Sequence, residues 1–342
     1  MALSKKKRWI FADLSDHRLA VAVATGSPSD LKVQRAGEIN LSGHESHRDL
    51  LEPLIGRIDG HAGAFASTSP LGQRIVPYAP DNIQKVRQPG AVPKFFQENT
   101  SLDPAQSVWF CLDESTGLPF IPDGPIARRF LFCGVPRANI HASQDRLVAW
   151  GLVPLSLELS SLATLSILLP ALKSRADETR VLFVDMGKTQ TLAMVVSANG
   201  VETSRLMPTG ISAILPRLMK ELGIRDEAAA ERMLASRTLD FQDIGESLLQ
   251  DLIRELNAFS GSFEIETGQT LTHGLTIGFP THAAWIGQNL SASQNLKEWT
   301  MDLDPVFSDL GMEVDDENCN ALSPTTWMTL LGLMEGCGSK ST

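Results

Sequence analysis

Two aspartates, Asp13 and Asp185, hold matching positions: each closes a short apolar run and opens a tight loop. A carboxylate at such a strand end commonly caps the N–H groups of the turn and does no chemistry. That is the expected role of Asp13. For Asp185, which Gly187 and Thr191 follow, capping and ligand binding both stay open. Other reactive side chains point to no site. The seven histidines lack metal spacing, and His44 and His47, which share a polar loop, are expected to be solvated. None of the four cysteines, Cys111, Cys133, Cys319 and Cys337, forms a CxxC pair. Cys111 and Cys133 sit in the apolar runs VWFCL and FLFCG and read as small buried hydrophobes of a reducing compartment.

The elements that must position the two aspartates form an internal repeat. Residues 8–23 read RWIFADLSDHRLAVAV and residues 180–196 read RVLFVDMGKTQTLAMVV. Arg8 matches Arg180, Phe11 matches Phe183 and Asp13 matches Asp185; with one residue inserted after the loop, Leu19-Ala20 matches Leu192-Ala193. Both copies read as strand, acidic residue, tight loop, strand. The second continues through Asn199-Gly200, a strong hairpin signal because both positions tolerate positive φ, into Val201–Leu206. In the first copy Gly26-Ser27-Pro28-Ser29 plays that part before Leu31–Leu41.

Between the copies, Val108–Leu112 and Ala127–Cys133 read as strands around the Pro122-Asp123-Gly124-Pro125 turn. Pro136 opens a helix that reaches Trp150 and stops at Gly151. Leu152–Leu159 reads as a strand and Leu162–Leu169 as a buried helix. Helical spacing marks Ile211, Ile214, Leu215, Leu218 and Leu222, and again Leu248, Leu249, Leu252, Ile253, Leu256 and Phe259. Leu271–Phe279 reads as a strand and His282–Leu290 as a helix; a last helix starts at Ser323-Pro324.

The chain has 342 residues, 43% hydrophobic and 20% charged, a composition that suggests about two globular domains. At this size a fold buries roughly 75% of the unfolded surface and needs no covalent staples. A formal net charge of −10 argues against nucleic acid as the main partner. The basic start Lys5-Lys6-Lys7-Arg8 opens no secretory segment, since the apolar stretch after it ends at Asp13. Contact with anionic lipid, at roughly 1 kcal/mol per charge, is one reading of it and a solvated tail the commoner one. The most apolar helical run, Leu162–Leu172, carries Ser166 and Pro170 and falls short of the ~20 residues a membrane span requires. A soluble cytoplasmic protein is expected.

In this order of elements the chain resembles the PilM family of type IV pilus assembly proteins, within the actin-like ATPase superfamily. The stretch VLFVDMGKTQTLAMVVSANGVETSRLMPTG is similar to that family's second-lobe opening, an Asp-x-Gly-x-x-x-Thr hairpin carried here by Asp185, Gly187 and Thr191. Asn199-Gly200, Arg205 and Gly210 follow it. LLQDLIRELNAFSGSFEIETG resembles the long helix before the family's adenosine loop, and RFLFCGVPRANIHASQDRLVAWGLVPLSLEL resembles the end of its inserted small domain. The similarity covers most of the chain.

The resemblance implies an α/β fold of two actin-like lobes, each a ribonuclease H-like domain, with a small α+β insert. The implied division is a first lobe at 1–74 that resumes at 152–179, an insert at 75–151, a second lobe at 180–320 and a C-terminal helix at 321–342 that packs back on the first lobe. It also implies a nucleotide cleft, where loop N–H groups approach phosphates and a strand-end acid holds a magnesium-bound water. The candidate nucleotide-binding residues are Asp13, Asp185, Gly187, Lys188, Thr189, Thr191, Gly210 and Gly278, with Asp185 the candidate for magnesium through water. ATP with magnesium is the only cofactor implied, and no residue is given a catalytic role. Three departures count against the cleft. Ser15 stands where a glycine is expected, with Asp16 adding negative charge beside the phosphates. One glycine of a pair is missing at Pro208-Thr209-Gly210. Another is missing at Thr276-Ile277-Gly278-Phe279-Pro280, where Phe279 is expected to fill the adenine space.

By the same resemblance the protein is a cytoplasmic scaffold, at most a weak ATPase, peripheral to the inner membrane through a partner. That partner is the cytoplasmic tail of a single-span inner-membrane pilus assembly protein, held in a groove between the first lobe and the insert. Self-association is a further expectation. The alternatives are an active ATPase or kinase of the superfamily and a cytoplasmic component of a type II secretion platform.

Overall fold

A computed structural model describes residues 7–41, 48–57, 60–114, 117–121, 129–175, 178–234 and 241–339. Lys5, Lys6, His44, His47 and the Pro122-Asp123-Gly124-Pro125 turn lie outside the described residues.

In chain order the strands of the first half are β1 (Arg8–Leu14), β2 (Arg18–Ser27), β3 (Asp30–Asn40), β4 (Ala62–Thr68), β5 (Arg74–Tyr78), β6 (Ser107–Asp113), β7 (Phe130–Pro136) and β8 (Leu152–Leu159). Those of the second are β9 (Arg180–Met186), β10 (Thr191–Ser197), β11 (Gly200–Met207), β12 (His273–Ile277), β13 (Lys297–Glu298) and β14 (Met312–Glu313). The helices begin with α1 (Arg48–Ile55), α2 (Ile83–Val86), α3 (Ala91–Thr100), α4 (Arg137–Ala149) and α5 (Ser160–Lys173). They continue with α6 (Ile214–Leu222), α7 (Glu227–Leu234), α8 (Gly245–Thr267), α9 (Trp285–Ser293), α10 (Leu303–Asp309), α11 (Asp316–Asn320) and α12 (Pro324–Ser339).

Two sheets share one plan. One is ordered β14-β3-β2-β1-β4-β8 and the other β11-β10-β9-β12-β13. In each, three strands form consecutive antiparallel hairpins and two more run parallel to the first of them. This is the duplicated architecture that the sequence repeat predicts. A third, antiparallel sheet, ordered β5-β7-β6, arises from the chain between β4 and β8.

The repeat is closer than the sequence suggests. Leu14 pairs with Leu19 and Met186 with Thr191, so both hairpin loops span four residues. The same 2.9 Å bond closes each, from Ser15 N–H to Arg18 O and from Gly187 N–H to Gln190 O. The inserted residue expected from matching Leu19-Ala20 to Leu192-Ala193 is therefore absent. Ala20 and Leu192 are equivalent, facing Asp13 and Asp185. Matching apolar residues misplaced the register because hydrogen-bond pairing, not side-chain likeness, sets equivalence in a hairpin.

Strand alternation sorts the core. Trp9 and Phe11 of β1 and Val181 and Phe183 of β9 face the layer between the two sheets. Ile10, Ala12 and Leu14 face outward to Leu51, Ile55 and Leu147. Leu182, Val184 and Met186 face outward to Leu215, Leu218, Leu252 and Leu256. Helices α5 and α12 pack along each other in the central layer, contributing Leu165, Leu168, Trp327, Leu330 and Leu331. Truncating a residue as buried as Trp327 costs about 3–5 kcal/mol, so this shared layer ties the sheets firmly together. Cys111 and Cys133 are free and buried as expected. Two strand ends shift: β7 runs on to Pro136, and β12 stops at Ile277 because Gly278 turns the chain at φ +98°. Among the described residues no helix is long and apolar enough to cross a membrane.

Candidate functional site

The two-residue strand period that points Phe11 and Phe183 inward carries Asp13 and Asp185 to the same faces. Both carboxylates therefore enter the layer between the sheets, at the start of α5. Neighbouring serines there divide between them: Ser160 Oγ donates to Asp13 Oδ1 at 2.6 Å and Ser161 Oγ to Asp185 Oδ2 at 2.5 Å. The end of β4 repeats the division, with Ser67 Oγ 2.7 Å from Asp13 Oδ1 and Ser69 Oγ 3.0 Å from Asp185 Oδ2. The two aspartates face one site.

Their chemistry differs. Asp13 forms a 2.7 Å ion pair with Arg18 Nη2, both side chains almost wholly buried. Among the described residues no cation pairs with Asp185; Gln73 Nε2 is its third donor, at 2.7 Å from Oδ2. Burial holds the Asp185 carboxyl above the ordinary carboxylate range, against the pull of its three donors and with the Asp13 charge adding to the rise. Its Oδ1 is buried without a partner.

The hairpin loops meet just above this pair. Asp16 Oδ2 accepts the Lys188 backbone N–H at 2.9 Å. Arg146 of α4 braces the acid through Asp16 Oδ1 at 3.3 Å and Ser15 O at 2.9 Å. The carbonyls of Gly187 and Lys188 accept from Ile211 N–H and Ser212 N–H at 3.1 and 2.8 Å. That close approach requires Gly210, where a Cβ would lie 2.5 Å from Gly187 O. Thr191 Oγ1 donates to Thr209 O at 2.7 Å and ties the same segment down. Lys188 Nζ lies 3.9 Å from Glu231, which lines the same cavity, and Thr189 is exposed.

Gly278 brings the other loop in. A Cβ there would lie 2.6 Å from Met186 O, at the end of β9. Phe279 is buried in the second-lobe core against Gly287 of α9. Just beyond it, Thr281 N–H donates to Glu38 Oε1 of β3 at 2.8 Å. His17 sits between these contacts, beside a void of about 20 Å³ that Ile211, Leu234, Phe279 and Pro280 also line. Burial lowers the His17 imidazole to about 4, with Lys188 and Arg146 adding and Asp16 opposing. Its Nε2 is shut off from solvent, with no hydrogen-bond partner among the described residues.

Most of the candidate residues therefore converge: Asp13, Asp185, Gly187, Lys188, Thr191, Gly210 and Gly278 pack together where the two hairpins meet, with Thr189 exposed next to Lys188, and of these eight only Lys188 lines the cavity between the loops. A magnesium nucleotide does not fit them as arranged. The cavity between the loops, lined by Asp16, His17, Lys188, Ile211 and Ser212 among others, is about 120 Å³; sites for small molecules run to roughly 300–1,000 Å³. A carboxylate already holds the Lys188 N–H, and Asp185, the magnesium candidate, is a buried acid whose Oδ2 takes three protein donors. Sequence reasoning missed Arg18, Glu38, Ser67, Ser69, Gln73, Arg146, Ser160 and Ser161. The one available signal was the Ser160-Ser161 pair at a helix start, a place where serine hydroxyls serve as caps.

Two lobes of one plan, joined through a shared helical layer and meeting at matched hairpins, define the actin-like fold. Among solved structures, a PilM–PilN type IV pilus biogenesis complex matches with a TM-score of 0.66 at 13% identity, covering 96% of this chain and 98% of that one. The ethanolamine utilization protein EutJ from Carboxydothermus hydrogenoformans matches with a TM-score of 0.48 at 13% identity, covering 96% and 89%. No protein-family model matches the sequence, and no curated protein does. The likeness to PilM is one of fold, over essentially the whole chain.

Proposed function

We propose that the chain is a PilM-like cytoplasmic scaffold of type IV pilus assembly with a degenerate nucleotide cleft. It acts by holding the cytoplasmic tail of a single-span inner-membrane protein, and reaches the membrane through that partner. In this reading the first lobe comprises 1–74 and 152–179, the insert 75–151, the second lobe 180–320 and the returning helix 321–342, except that β14 already joins the first lobe's sheet beside β3, so the chain returns to that lobe before residue 320. One structure similar to this chain is a PilM–PilN type IV pilus biogenesis complex.

The observation that carries the reading is a groove of about 370 Å³ where the β5-β7-β6 sheet overhangs α5 and α12. Leu112, Leu131, Leu162, Leu165 and Leu169 make its floor, and Asp113, Glu114, Glu158 and Glu335 its acidic rim; its described lining includes no lysine, arginine or histidine. Such a groove suits an extended segment with apolar side chains and at least one basic residue, gaining pockets and charge complementarity together. Burial raises Glu335, and it raises Glu114 to about 7 even though Arg129 Nε lies 2.8 Å from Glu114 Oε2, so a basic side chain entering the groove would favour the charged form of these acids.

The test is titration of the full chain with a labelled peptide of the candidate partner's tail. Ser166, exposed on α5 at the groove, is the blocking position. Ser166→Trp is expected to weaken binding at least about tenfold, equivalent to ~1.4 kcal/mol, and in-frame deletion of 75–150 to abolish it. A deletion form that stays folded by scattering and binds the tail as well as the intact chain would refute the assignment.

A further inference from the structure

Two backbone N–H groups of the second lobe, at Lys188 in the hairpin loop and at Thr281 just past Gly278-Phe279-Pro280, are held from the first lobe. A first-lobe carboxylate takes each. Asp16 Oδ2 lies 2.9 Å from Lys188 N and Glu38 Oε1 lies 2.8 Å from Thr281 N. The partners are 172 and 243 residues apart in the chain, so neither contact is local turn capping. A carboxylate oxygen on a backbone N–H is a charge-assisted bond, roughly twice as strong as a neutral one. An anionic ligand makes the same contact with a loop of this kind.

Neither acid is a loose surface group. Arg146 orients Asp16 through its other oxygen, at 3.3 Å. Glu38 Oε2 is buried with no other partner, a cost that its contact to Thr281 must offset. The His17 ring lines both a void of about 20 Å³ beside Phe279 and Pro280 and the cavity of about 120 Å³ beside Asp16 and Lys188.

We propose that Asp16 and Glu38 are the resident ligands of this cleft: the chain's own carboxylates occupy the N–H groups that a bound anion would take, and they staple the two lobes closed. The inference rests on reading the cleft as a degenerate nucleotide site. Closure is then a property of the fold, and the groove under the β5-β7-β6 sheet, which both lobes border through Leu162 and Val201, keeps one shape at any nucleotide level.

The test uses the full chain in wild-type, Asp16→Ala/Glu38→Ala and Asp16→Asn/Glu38→Gln forms, with hydrogen exchange resolved at the Lys188 and Thr281 amides and scattering for overall dimensions. In the alanine form both amides are expected to exchange about tenfold faster or more, with a larger radius of gyration. The amide form, which keeps an acceptor oxygen but loses the charge, is expected between the two. Wild-type rates at both amides in the alanine form overturn the staple. Should the alanine form fail to fold, wild-type rates in the amide form overturn it instead. A separate arm adds Mg-ATP to the wild type: slower exchange across 185–190 with a raised melting temperature refutes the degenerate cleft itself, whatever the variants do.

Discussion

Asp16 and Lys188 occupy the same place in their two hairpins, the second position of a four-residue loop, and they touch: Asp16 Oδ2 accepts the Lys188 N–H at 2.9 Å. A duplicated unit has thus diverged at equivalent positions into an acceptor and a donor that bond to one another. In an open actin-like cleft both loops would present N–H groups to a ligand. Here one loop is the other's ligand.

Nucleotide binding is accordingly expected to be weaker than about 1 mM, with hydrolysis at background. Calorimetric titration with Mg-ATP and a phosphate-release assay check this. Tight binding with turnover lost in Asp185→Ala contradicts it.

Asp13 and Arg18 form a buried pair, so removing one partner strands the other. Asp13→Ala is expected to cost about 3–5 kcal/mol, read as a lowered urea midpoint. The double variant Asp13→Ala/Arg18→Met, which buries no lone charge, is expected to lose less than Asp13→Ala alone.

Asp185 behaves as a buried acid held above its ordinary value of 3.8 by desolvation. Asp185→Asn, nearly isosteric with the protonated form, is expected to stay within about 1 kcal/mol of wild type. Asp185→Ala, which orphans three donors, is expected to lose about 2–4 kcal/mol. The sign of the pH effect follows. Below 3.8 both folded and unfolded forms are protonated. As pH rises the unfolded form ionises first, so the wild type loses stability relative to Asp185→Asn up to the raised value. Equal pH slopes in urea melts of the two proteins would show the carboxyl to be ionised in the fold.

His17 runs the opposite way. Burial lowers it from 6.5 to about 4, so between these values the unfolded chain takes a proton that the folded one refuses. Its stabilising contribution is complete above pH 6.5 and is lost as pH falls toward 4. His17→Gln is expected to flatten the fall in melting temperature over that window. An unchanged slope places the acid sensitivity elsewhere.

Much of the fold was legible in the sequence because the signals are local. Phe11, Asp13, Phe183 and Asp185 alternate with outward residues over a few positions, which predicts the two strands. The turn-capping role expected of Asp13 falls instead to Ser15, whose Oγ accepts the His17 and Arg18 N–H groups, while Asp13 points inward to Arg18, Ser67 and Ser160. The β8, α8 and α12 segments were likewise readable from apolar spacing, Gly151 and Ser323-Pro324. The departures at Ser15, Asp16 and Phe279 were visible as well, since each is a residue type out of keeping with a loop that must admit phosphates or a base.

The partners of those residues were decided only by the tertiary structure. Ser67 and Ser160 lie 54 and 147 residues from Asp13, Lys188 lies 172 from Asp16, and Thr281 lies 243 from Glu38. No spacing rule spans such distances. A hydrogen bond between segments exists because sheet packing around α5 and α12 brings their backbones together, and a sequence read along one dimension carries no record of that approach. So the chain's own periodicity determined the two strands that carry Asp13 and Asp185, while packing decided that one would enter an ion pair, that the other would be a buried carboxyl held above its ordinary range by desolvation, and that Asp16 would accept the Lys188 N–H.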